Sequence, residues 1–150
     1  MVSETHANTD ALPTIRMTRH DAGRLDTLLA DYPTESPTSG AGLLLRELLR
    51  AEVVPSEKIA PTTVVMHSAV TFRDESTGDT RTVKLVYPSE RTSTSDALSV
   101  LAPLGAALIG LSEGQSISYD GVDGRPRTVT VLKVLSQPGR GREADEAPSR

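Results

Sequence analysis

The spacing of apolar residues changes once along the chain, near Pro61, from a helical period to the alternation of a strand. Before Pro61, two segments each carry one apolar stripe. The first begins at Thr18, a predicted N-cap, and continues through Ala22, Leu25, Leu28, Leu29 and Tyr32. The second covers about 41–54, with Leu44, Leu45, Leu48 and Leu49 on its apolar side and Arg46, Glu47, Arg50 and Glu52 on its polar side. Prolines and a glycine separate the two segments, so the pattern predicts a short antiparallel helical hairpin over 14–55.

After Pro61, apolar and polar residues alternate in four segments, which predicts strands at Val64–Phe72, Thr80–Tyr87, Gln115–Tyr119 and Thr128–Leu135. Glycine-containing turns separate the two strands of each pair, at 74–79 and 120–124. His67 falls at an ordinary polar position of the first strand. The whole chain is therefore predicted to be α+β.

The most apolar segment is Leu98–Leu111, which is too short to cross a bilayer and is expected to be core. Pro103 suits the first position of a short helix. The small residues that follow it, Gly105, Ala106 and Ala107, would let that helix approach a sheet closely. Gly110 and Gly114 return the chain to a strand.

Composition limits the class of protein. The chain has 150 residues and a net charge of −4, which argues against a protein whose main affinity is for nucleic acid. It has no cysteine, and therefore no thiolate metal ligand or cysteine nucleophile, which fits a cytoplasmic protein. No signal peptide or membrane segment is predicted. The polar ends, 1–13 and 139–150, are expected to be a disordered arm and tail.

The residues suggest no catalytic centre, metal site or cofactor, so the protein is not expected to be an enzyme. His6, His20 and His67 lack metal-ligand spacing, and no phosphate-binding glycine loop is present. Asp31 and Glu35, at the predicted hairpin tip, leave two interpretations open. They either hold a divalent ion through carboxylate oxygens or simply solvate a loop.

Five segments resemble the Gre family of bacterial transcription factors, and its Rnk branch in particular. The central block, Leu98–Leu111 with Gly114, is the most specific of them. The others are Arg46–Glu52, Val64–Phe72, Leu85–Pro88 and Val134–Pro138. The resemblance covers about residues 14–138.

The resemblance implies an N-terminal coiled coil joined to an FKBP-like antiparallel sheet domain with a short helix, over 62–138. It implies binding to core RNA polymerase at the rim of the secondary channel, through contacts around Ser89, Asp96, Pro103 and Gly105. In the cleavage factors of the family, tip acids help to coordinate the second catalytic magnesium. A prolyl isomerase of this fold has an aromatic-lined pocket. The sheet domain here has only three aromatic residues, Phe72, Tyr87 and Tyr119, so we do not expect prolyl isomerase activity.

The hairpin arms are much shorter than those of the cleavage factors, since a helix of about 15 residues spans only about 22 Å. We therefore expect a monomeric polymerase-binding regulator that neither recognises a nucleic acid sequence nor strongly stimulates transcript cleavage. Two alternatives stay open. One is a cleavage or elongation factor that uses Asp31 and Glu35, and the other is an interaction module that controls nucleoside diphosphate kinase levels.

Overall fold

The computed structural model describes residues 12–90, 96–121 and 123–137, which form two sheets and three α-helices. The elements are β1 (Arg16–Thr18), α1 (Arg19–Leu29), α2 (Gly40–Arg50), β2 (Glu52–Val54), β3 (Ala69–Asp74), β4 (Thr80–Val86), β5 (Ala97–Ser99), α3 (Pro103–Leu108), β6 (Ser116–Asp120) and β7 (Pro126–Ser136). Short 3₁₀ turns occupy Ser56–Lys58 and Pro88–Glu90. The predicted tail lies outside the described residues, as do 1–11 of the predicted arm and residues 91–95 between β4 and β5.

Both N-terminal helices begin where a side chain caps them. The Thr18 hydroxyl accepts a hydrogen bond from the Asp21 N–H at 3.0 Å, which confirms the predicted N-cap of α1. Ser39 caps α2 through the Gly42 N–H at 2.9 Å. Each helix has 11 residues and is about 16 Å long, shorter than the sequence predicted.

The second helix ends early because the residues after it form a strand. The predicted helix extended to Val54, but Glu52–Val54 is β2, which pairs in parallel with β1. The β-branched side chains of Val53 and Val54 favour a strand once a partner is present. The partner, β1, lies more than 30 residues away in the sequence, so no local pattern indicated this pairing.

The larger sheet has the strand order β5-β4-β3-β7-β6. Its pairings are antiparallel except for that of β4 with β5, which is parallel. The prediction of a wholly antiparallel sheet was therefore wrong at this edge. The connection between Val86 and Ala97 brings the chain back to Lys84, so that β5 runs parallel to the last three residues of β4.

The predicted strand Val64–Phe72 is correct only in its last part, since β3 begins at Ala69. His67 interrupts it with a φ of 71°, in the left-handed region, and its N–H donates to the Leu85 carbonyl at 2.7 Å. Its predicted place as an ordinary strand residue was thus wrong. The segment before it is irregular, and Val64, Val65 and Met66 are all buried instead of alternating.

Leucines of α1 and α2 share one hydrophobic cluster with the sheet and α3. Leu25 and Leu44 are fully buried in it together with Val70 and Leu85. Helix α2 contacts α3 more extensively than it contacts α1. Both helices therefore bury leucines in one core that they share with the sheet, and the predicted hairpin, in which they would pack mainly on each other, is not confirmed.

Glycines make the close approach around α3 possible. A Cβ at Gly40, the first residue of α2, would overlap the Leu101 carbonyl group, and a Cβ at Gly105 would overlap that of Ser99. Pro103 begins α3, as predicted. The prediction that small residues pack this helix closely is therefore confirmed.

The polar side of α2 differs from its prediction. Glu47 is fully buried, and its carboxylate accepts hydrogen bonds from Arg46 at 2.6 Å and from Arg50 at 2.6 and 3.0 Å. Arg50 also donates to the Pro13 carbonyl at 2.5 Å, which fastens the N-terminal segment to α2. Leu49, predicted to be apolar core, is 76% exposed because the opposite face of α2 packs on α3.

Candidate partner-binding site

Three of the four residues predicted to dock on a partner lie around the edge strand β5. Asp96 is exposed and immediately precedes β5, and the turn that holds the exposed Ser89 contacts the same strand. Pro103 is half-buried at the start of α3, four residues after β5 ends. Gly105 is different, since it is buried against the Ser99 carbonyl and acts in packing.

The predicted tip acids, Asp31 and Glu35, are both exposed. Asp31 lines a cavity of about 620 Å³ together with Tyr32, Pro88 and Ser89. Its position is therefore beside the sheet region, next to one of the predicted docking residues. Glu35 does not line that cavity. Among the described residues, no three His, Cys, Asp or Glu side chains come close enough together to hold a metal ion.

A second cavity of about 640 Å³ adjoins the first. The two cavities share His20, Arg24 and Tyr87, so together they form one groove between α1 and the end of β4. We call this the α1 groove. It was not predicted from the sequence, because its walls come from segments far apart in the chain.

Arg24 and Tyr87 form the middle of the α1 groove. The Arg24 guanidinium lies 4.2 Å from the centre of the Tyr87 ring, a cation–π contact. Burial raises the pKa of the Tyr87 hydroxyl to about 12, with a smaller contribution from the Asp21 charge. Within the described chain, this hydroxyl is the one buried side-chain oxygen that has no hydrogen-bond partner.

A carboxylate and an imidazole hold the wall beside Tyr87. Glu90 accepts hydrogen bonds from the Tyr87 N–H and from His67 Nε2, both at 2.9 Å. The backbone hydrogen bond, followed by that from His67, lowers the pKa of Glu90. The His67 ring meets the Tyr87 ring edge-on, with centroids 5.6 Å apart. This network fixes the turn at Pro88–Glu90 against the strand end.

The opposite wall is fixed by Asp21, near the start of α1. Its carboxylate accepts a hydrogen bond from the Met66 N–H at 3.0 Å and is 8% exposed. Asp21 thereby ties α1 to the sheet region. A sequence signal that was available for the groove is Gly23, an isolated glycine inside a helical pattern.

The site is thus an open groove lined by both polar and apolar side chains, which suits a binding surface. Comparison with known proteins shows the family of the chain. A family model described as transcription elongation factor GreA/GreB, C-terminal, matches residues 59–136. A model described as Rnk N-terminus matches residues 13–54. The chain belongs to the Rnk branch of the GreA/GreB family.

Individual relatives support the assignment to the Rnk branch. The Regulator of nucleoside diphosphate kinase of Escherichia coli strain K12 is 40% identical over 126 residues, which cover 84% of this chain and 92% of that protein. The transcription elongation factor GreA of Syntrophobacter fumaroxidans is 37% identical over 70 residues, which cover 47% of this chain and 44% of that protein.

One solved relative has the same fold. The prokaryotic transcription elongation factor GreA/GreB from Nitrosomonas europaea superposes with a TM-score of 0.62 at 38% identity, and the match covers 81% of this chain and 98% of that one.

None of the helices in the described ranges is long and apolar enough to span a membrane.

Proposed function

We propose that this chain is a non-enzymatic transcription regulator that binds core RNA polymerase near the rim of its secondary channel. Membership of the GreA/GreB family supports the polymerase as the partner. The segments on either side of β5, which hold Ser89, Asp96 and Pro103, are the proposed docking surface. In this proposal the sheet region, about 62–138, carries the docking surface, and the helical region, about 14–55, lies over the channel entrance.

The observation that carries the proposal is the burial of both N-terminal helices in the core of the sheet region. Each helix is about 16 Å long, and Asp31 lines the same cavity as Ser89, next to the sheet region. A carboxylate held there cannot travel deep into another enzyme to reach a catalytic metal. We therefore propose that the protein does not strongly stimulate cleavage of backtracked RNA.

Two assays test this proposal. Purified protein should bind core RNA polymerase in sedimentation or interferometry, and the double variant Ser89→Arg/Asp96→Arg should weaken that binding. In a backtracked elongation complex, the protein should leave the RNA cleavage rate close to the polymerase-only rate. Robust cleavage that Asp31→Asn/Glu35→Gln abolishes would refute the second part and favour a cleavage factor.

A second candidate function is suggested by the name of the relative from Escherichia coli. The protein could control nucleoside diphosphate kinase by binding a partner other than polymerase. A pull-down with both nucleoside diphosphate kinase and core polymerase present separates the two functions. Retention of the kinase without polymerase would favour this candidate.

A further inference from the structure

The α1 groove has a feature that the fold does not require. Gly23 lines it from inside α1, where a glycine costs about 0.5–1 kcal/mol relative to alanine. Its φ is not positive, and a Cβ placed there would meet no atom within 4 Å. Packing within this chain therefore does not explain the glycine. Because Gly23 has no side chain, the backbone of α1 is uncovered where the helix faces the groove, and another chain can approach it closely.

The charges along the groove follow an order. His20 and Arg24 line both cavities and lie in the middle, while Glu57 lines only one cavity and Asp31 only the other. Within the described chain, Arg24 makes no salt bridge. It lies over the Tyr87 ring, and its charge contributes to the lowered pKa of Glu90.

Two further carboxylates, Asp21 in the groove and Glu90 beside it, are already engaged. Asp21 accepts from the Met66 N–H, and Glu90 accepts from the Tyr87 N–H and from His67. The groove therefore presents an available guanidinium at its centre and an exposed carboxylate toward each end.

We propose that the α1 groove binds an extended segment of a protein partner whose central acidic side chain pairs with Arg24. Basic residues on either side of that acid would face Glu57 and Asp31, which gives the segment the charge order basic, acidic, basic. Each cavity, about 640 and 620 Å³, has room for several side chains. Arginine and tyrosine are the residue types that most often dominate binding energy at such contacts.

This inference rests on the proposed function, because the partner segment is assigned to RNA polymerase. It adds a second contact surface, on α1, to the docking surface around β5. The two surfaces adjoin, since Ser89 also lines the cavity that holds Asp31.

The experiment measures binding of labelled full-length protein to core RNA polymerase at two salt concentrations. Gly23→Leu adds a side chain to the groove at a position where a Cβ has open space around it, and Arg24→Gln removes the central charge. Asp26→Ala is the matched control, since Asp26 is exposed on the same helix but lines neither cavity. Melting curves verify that each variant is folded.

We expect Gly23→Leu to weaken binding at least tenfold and Arg24→Gln about fivefold, with the Arg24→Gln effect shrinking at high salt. The control should stay within twofold of wild type. A photocrosslinker at Thr27, which lines the groove, should label a polymerase peptide with an aspartate or glutamate between basic residues.

The outcomes are separable. If wild type binds polymerase and both groove variants bind equally well, the inference is wrong while the proposed function stands. Crosslinking to nucleic acid instead of protein would also overturn it. If wild type does not bind polymerase at all, the proposed function fails, and this inference fails with it.

Discussion

Replacing Gly40 by alanine tests whether the N-terminal helices and the sheet region form one packed unit. A Cβ at this position would overlap the Leu101 carbonyl oxygen and lie 2.5 Å from its carbonyl carbon. Non-bonded carbons prefer about 3.5–4.0 Å, so α2 or the chain at 101–102 must move by about 1 Å or more. The obstacle is backbone, which cannot rotate away as a side chain could.

Overpacking of this kind costs about 1–3 kcal/mol and sometimes more, and we expect the upper end because both sides are fixed. The Leu101 N–H donates a hydrogen bond to the Ser99 hydroxyl at 3.0 Å, which holds this segment in place. Helix α2 is held at its start by the Ser39 cap. For a chain of this size, about 3 kcal/mol corresponds to a melting temperature lower by about 6–12 °C.

Gly23→Ala is the matched control, because it is also a helical glycine but has open space around its Cβ position. Better helix propensity should stabilise this variant by about 0.5–1 kcal/mol. The assay is thermal and urea unfolding of both variants followed by circular dichroism. A Gly40→Ala protein that melts within about 1 °C of wild type would contradict the packing of α2 on the α3 region described above.

Three further predictions concern single side chains. Arg50→Met leaves the buried Glu47 carboxylate with one partner and should lower the free energy of unfolding in urea by about 3 kcal/mol. The double variant Glu47→Met/Arg50→Met should recover most of that loss. Equal stability of the single and the double variant would refute this prediction. Tyr87→Phe removes a buried hydroxyl without a partner and should stabilise the protein by about 1 kcal/mol at neutral pH. Because the folded pKa of Tyr87, about 12, lies above the unfolded one, wild type should also lose stability as pH rises from 10 to 12, and the variant should lose less. The pKa of Glu90 is lowered in the fold, so the ionised carboxylate stabilises the protein above about pH 4.5, and this stabilisation is lost as the pH falls through the folded pKa. Glu90→Gln should make the free energy of unfolding depend less on pH between pH 5 and 3. His67→Ala should reduce this pH dependence in part.

Local features of the sequence were sufficient for several structural elements. The cap at Thr18, the helix start at Pro103 and the close packing at Gly105 depend on neighbours within a few residues or on side-chain size, so they could be predicted. The existence of each large strand followed from its alternation of apolar and polar residues. The family resemblance depended on the same apolar block, Leu98–Leu111.

Contacts between distant segments could not be predicted in this way. Glu47 is buried and paired with Arg50, which also binds the Pro13 carbonyl of a distant segment, and β2 is a strand because β1 lies beside it. A helical stripe does not specify which neighbour will cover a polar position, and a three-residue strand has too little pattern of its own.

The sequence by itself determined the type of the three helices and of the four longer strands, the acidic and cysteine-free character of the chain, and the apolar block around α3. The tertiary structure alone decided that α1 and α2 are buried on the sheet region, and that Arg24 and Tyr87 meet across a groove. The physical reason is that hydrophobic burial is not directional. Leucine stripes can be buried against each other or against a sheet, and only the packing of the whole chain selects one arrangement.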